Sequence, residues 1–132
     1  MKKTKIVEWF LRISISVCFL SAVADRFGLW DQSVSAWGNW EAFAKYTNKL
    51  LPFLSYDMAS IFGMIATALE LILGLLLLTK IKSSSVSFFS GILLLTFGLT
   101  MTFALGIKVP LDYSVYTAAA AAFGLNIILG YK

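Results

Sequence analysis

The sequence predicts an all-α fold: a four-transmembrane-helix antiparallel bundle with a short amphipathic interfacial helix between the first two spans. Of its 132 residues, 59% are hydrophobic and only 14% are charged, a balance far from that of a soluble globular domain. The apolar residues gather into four windows, about 6–24, 58–79, 86–107 and 113–131. Each is close to the roughly 20 residues a helix needs to cross the hydrocarbon. Between the first two windows, residues 25–57 form an external segment rich in Trp, Tyr and Phe. Residues 1–132 therefore read as a single integral membrane domain.

The first window follows Lys2, Lys3 and Lys5 and ends in Ala22-Val23-Ala24 before Asp25, the outline of a cleavable secretion signal. Glu8 and Arg12 interrupt its apolar run and three further windows follow, so the segment is expected to stay attached as the first span. Lys80 and Lys82 lie in the second connection and Lys132 follows the last window. The positive-inside rule then places both termini in the cytoplasm, with the 25–57 segment and Lys108 on the other side.

Within the external segment, Asn39 can cap a helix beginning near Trp40. Trp40, Phe43, Thr47, Leu50 and Leu54 recur at 3-to-4 spacing while Glu41, Lys45 and Lys49 fall elsewhere. Glu41 and Lys45 form a favourable i,i+4 pair, and Pro52 ends or bends the helix. Such a segment is either an aromatic belt at the headgroups or a lid over the bundle, with Trp37 and Trp40 turned inward. The other connections are short. Ser83-Ser84-Ser85 with Lys80 and Lys82 reads as one polar turn and Lys108 to Asp112 with Pro110 as another, which makes successive spans antiparallel.

In the second span, Gly63, Thr67, Glu70 and Gly74 share one stripe of small and polar residues, which should face protein rather than lipid. Gly91, Gly98 and Thr102 mark a comparable side of the third span, and Ala119, Ala122, Asn126 and Gly130 of the fourth. Asn126 is open to two readings, a packing hydrogen bond or a ligand contact.

Arg12 and Glu70 are ionisable residues set inside stretches otherwise apolar enough to sit in lipid. A charge at that depth costs a few kcal/mol even on the gentlest insertion scale and needs a partner, cavity or ligand. Arg12 can reach Glu70 across an antiparallel neighbour, pair locally with Glu8, or snorkel to lipid phosphates. In the latter two cases Glu70 is left to be protonated or to bond hydroxyls and amides in the bundle. Asp25 and Arg26, at the outer mouth of the first span, read as a charged helix end or as the outer lining of the same cavity. The candidate ligand-binding set is thus Arg12, Asp25, Arg26, Trp37, Trp40, Thr67, Glu70 and Asn126.

Several chemistries are excluded by composition. The chain has no histidine and one cysteine, Cys18. It therefore holds no CxxC redox pair, no His-ligated haem, no Cys/His zinc site and no histidine-assisted nucleophile. No catalytic or metal-ligating residue and no intrinsic cofactor is expected. The net charge of +4 is scattered in small groups beside the apolar windows, a topology signal rather than a nucleic-acid surface.

The pattern resembles the DoxX-like family of small four-helix membrane proteins. The residues that carry the likeness are Arg12-Ile13 and Phe19-Leu20-Ser21-Ala22, then Ala24-Asp25-Arg26-Phe27-Gly28, Trp37-Gly38-Asn39-Trp40 and Ala66-Thr67-Ala68-Leu69-Glu70-Leu71-Ile72-Leu73-Gly74-Leu75. Some members are linked with membrane oxidoreductase assemblies, including a thiosulfate:quinone oxidoreductase. The resemblance implies a multi-pass protein of a bacterial cytoplasmic membrane, near quinone chemistry and beside a redox-enzyme subunit, with a homo-oligomer left open. The chain departs from that picture in lacking any ligand for a redox centre. The reading is a non-catalytic subunit or quinone/lipid-binding bundle. Its alternative is a small proton-linked transporter or permeation unit using Glu70, and a self-contained enzyme ranks below both.

Overall fold

The computed structural model describes residues 2–131, and among them every regular element is helical. Helix α1 spans Lys2–Arg26, α2 Trp40–Leu50, α3 Tyr56–Leu77, α4 Ser83–Leu105, α5 Lys108–Asp112 and α6 Val115–Gly130. Three of these, α1, α3 and α4, are long and apolar enough to cross a membrane. Their outward faces carry Val17, Ile65, Ile72, Phe89 and Phe103, all exposed, as suits a bilayer and not water. The chain is a multi-pass membrane protein.

Most of the fourth expected window, 113–131, is one helix, the 16 residues of α6; it follows the single turn of α5 and Ser114, which stands at φ 57°. At 1.5 Å per residue α6 is about 24 Å long, shorter than the ~30 Å hydrocarbon core. The polar turn expected at Ser83–Ser85 also moves. Those serines are the first turn of α4, and the reversal is made by residues 78–82, with Lys82 in the left-handed region at φ 44°.

The long helices and α6 pack in a ring, α1 and α4 each lying between α3 and α6. Hydrogen bonds fix two of the directions. Ser16 Oγ donates to the Gly74 carbonyl at 2.6 Å, and Arg12 Nη1 donates to the carbonyls of Leu77 at 3.1 Å and Thr79 at 2.9 Å. As α1 ascends from 12 to 16, α3 descends from 77 to 74, so the two run antiparallel. On the other side Asn126 Nδ2 donates to the Ser84 carbonyl at 2.8 Å, while Tyr116 Oη lies 2.6 Å from Thr102 Oγ1. Thus α4 and α6 are antiparallel too.

The glycines expected at interfaces are there for contact. Gly91 faces the ring of Phe123 and Gly98 that of Tyr116. Gly130 does not continue the α6 stripe: it is exposed, with no neighbour in reach of a Cβ, because α6 ends there and has left the α4 face. The apolar core contains Ile15, Phe19, Leu73, Leu77, Leu94 and Leu125. On α1 it separates two polar clusters, Glu8–Arg12–Ser16 at one end and Asp25–Arg26 at the other.

Candidate functional site

The cluster at the Arg26 end begins with the direction of α1. Helical side chains lean toward the N-terminus of their own helix, so a residue at the C-terminal end of α1 reaches back into the bundle. Arg26 does this. The register of α1 on α3 puts it opposite the early turns of α3, and its guanidinium runs deeper, to Thr67 and Glu70. Nη1 donates to Thr67 Oγ1 at 2.8 Å and pairs with the Glu70 carboxylate. Both charged side chains are buried, with 4% of each exposed. Thr67 is oriented by its own donation to the Gly63 carbonyl at 2.7 Å.

This corrects the expected partners of Glu70. Arg12 turns away from it, with Nε on Glu8 at 3.0 Å and Nη1 on the last carbonyls of α3. There it is a cation at a helix C-terminus, where carbonyls left without intrahelical donors accept from it. Glu70 is held neither by Arg12 nor by bundle hydroxyls and amides; Arg26 takes that place.

Asp25 anchors the segment that leads into α2. Its carboxylate accepts the backbone N–H groups of Ala36 at 2.7 Å, Trp37 at 3.4 Å and Gly38 at 2.9 Å. Gly38 has φ 81°, a conformation that costs other residues and that glycine adopts freely. The turn so anchored sets Trp37 above Arg26, with Cζ 5.3 Å from the ring centroid, and α2 adds Phe43 at 3.9 Å. Phe43 was not among the residues singled out as site candidates, although it belongs to the 3-to-4 stripe that predicts α2. Trp37 meets Phe43 edge-on at 5.1 Å and lies 6.0 Å from Tyr46. Burial, with nearby Tyr113 the lesser cause, pushes the Tyr46 phenol above its ordinary range.

The local sequence explains why α2 sits there. Asn39 Oδ1 accepts from the Ala42 N–H at 2.8 Å, the expected cap, and α2 buries Phe43, Ala44 and Thr47. That face closes on Gly63 of α3, where a Cβ would come within 3.1 Å of the Phe43 ring. Glu41 and Lys45 pair on the exposed side.

Trp40 turns to the other flank. Its Nε1 donates to Ser60 Oγ at 3.3 Å and its ring stacks on Phe27 at 6.0 Å. Phe27, Trp40, Met64, Thr67, Ala68 and Leu71 line a groove of about 420 Å³. A smaller cleft of about 210 Å³ lies between Ser21, Asp25, Trp30 and Val34.

Six of the eight sequence-predicted residues therefore converge: Asp25, Arg26, Trp37, Trp40, Thr67 and Glu70. Arg12 and Asn126 do not join them. Both lie near the connection between α3 and α4, Arg12 on Thr79 and Asn126 on Ser84, where they tie helices together. An apolar groove ending beside a buried, aromatic-capped ion pair can hold a lipophile and orient a polar head. No family model matches this chain, and comparison with curated proteins and with solved structures found no match.

Proposed function

We infer that this protein is a DoxX-like bundle of a bacterial cytoplasmic membrane, a non-catalytic subunit that binds a quinone or lipid beside a membrane oxidoreductase. In this reading α6 supplies the fourth crossing, both termini are cytoplasmic, and α2 lies at the outer interface as a cap. The observation that carries it is the groove of Phe27, Trp40, Met64, Ala68 and Leu71 closing on Thr67, the hydrogen-bond partner of Arg26. The sequence offers no ligand for a redox centre, so electrons belong to the partner and the bundle's part is to bind and position.

The transporter reading has less support. Phe19, Val23 and Leu73 are buried between the two polar clusters, and a proton path would have to pass them. Affinity capture from native membranes into nanodiscs tests the main reading. Mass spectrometry should find a redox enzyme with the bundle and a lipophile retained by the wild type but lost from Ala68→Phe, which fills the groove. A bare bundle with identical lipid content in both proteins would overturn it.

A further inference from the structure

We propose that the groove takes a lipophile with an uncharged carbonyl head, and that this carbonyl accepts a hydrogen bond from Arg26 Nε. The inference rests on the ligand-binding reading above and names the head group.

Among the described residues the hydrogen bonds of Arg26 all leave from Nη1, toward Thr67 and Glu70, while Nε is buried and meets no acceptor. Arg26 as a whole is 4% exposed. A buried donor of this kind is costly until an acceptor arrives. The two aromatic rings over the guanidinium meet its face and bring no in-plane acceptor.

Arg26 lies directly behind two walls of the groove, so a head group meets its Nε once those side chains part. Phe27 is the chain neighbour of Arg26, and Thr67 is its hydrogen-bond partner. The remaining walls, Trp40, Met64, Ala68 and Leu71, are those of an apolar body's site. A molecule entering there must bring its acceptor on a hydrophobic frame.

Charge decides which acceptor. Glu70 already neutralises Arg26, and the Asp25 carboxylate next to it is held by backbone N–H groups and the Ser35 hydroxyl, none of them charged. The cluster thus carries one negative charge in excess, and a phosphate or carboxylate head would add a second in a low-dielectric place. A neutral carbonyl meets the donor without that repulsion. Quinones carry such a group on a ring, and acylglycerols carry it as an ester. The cleft at Ser21 and Trp30 is a weaker candidate, because the Asp25 oxygens beside it are already engaged.

The test uses the full chain in nanodiscs of diether phospholipid, which have no ester carbonyl. Decyl-ubiquinone is titrated against tryptophan fluorescence, beside the same ring with both carbonyls reduced and methylated. Saturable binding of the quinone should be about tenfold tighter than that of its methylated analogue, the weight of one good hydrogen bond. Arg26→Lys keeps the cation for Glu70 and should erase that preference, while Ala68→Phe should abolish saturable binding of both probes. Competition by dioleoylglycerol, but not by its dialkyl ether, assigns the head to an ester; a quinone preference without that competition assigns it to a quinone. Either supports the inference.

Equal binding of the two ring probes overturns the carbonyl head and leaves the ligand-binding bundle standing. So does oleate binding tighter than the neutral probes. No saturable binding of any probe, in wild type and Ala68→Phe alike, overturns both. The two-probe comparison on wild type decides the matter even if Arg26→Lys fails to fold.

Discussion

Removing the Glu70 carboxylate leaves Arg26 buried and uncompensated, which makes Glu70→Ala the most damaging single change at this site. The expected loss is about 3–5 kcal/mol, the range for breaking one half of a buried pair, read as lower thermal stability in nanodiscs. Replacing both partners, Arg26→Met with Glu70→Leu, should restore most of it, because two apolar side chains can fill that space without desolvating charge. Arg12 belongs to a separate cluster at the opposite end of α1. Arg12→Leu should therefore add its own destabilisation to that of Glu70→Ala, within about 0.5 kcal/mol of the sum. A large departure from additivity in unfolding scans would mean that the two ends are coupled.

Helix α2 is the element on which the site depends, since it brings Phe43 over Arg26 and rests on Gly63. Gly63→Leu places a branched side chain where even a Cβ lies 3.1 Å from Phe43. It should cost about 1–3 kcal/mol, the range for overpacking, and speed hydrogen exchange across residues 40–50 while leaving α4 and α6 protected. Asn39→Ala should loosen the same helix by about 1 kcal/mol through loss of its cap. Much of this was legible in the sequence. The Asn39 cap, the apolar stripe of α2 and the buried face of Gly63, Thr67, Glu70 and Gly74 all follow from spacing. The partner of Glu70 was not, because hydropathy gives a residue's depth on its helix and not where a long side chain ends. Arg26 lies at the end of α1 by position and inside the bundle by reach. The left-handed residue just before α6 was equally hidden: Ser114 adopts that region without the glycine that would have marked a turn there.

At the scale of the molecule, the ring of α1, α3, α4 and α6 keeps all its buried charge at two levels of α1, with Phe19, Val23 and Leu73 packed between them. A proteoliposome flux assay should accordingly give the same leak-level proton movement for wild type and Glu70→Gln. Flux above leak that falls in the variant would restore the transporter reading. The hydrophobic waist has an electrical consequence as well. A membrane voltage drops mainly across low-dielectric material, and neither ion pair has a polar route along which to carry charge through that drop. Occupancy of the Arg26 end should thus be indifferent to the state of energisation, so collapsing the potential with an ionophore would leave the bound lipophile in place.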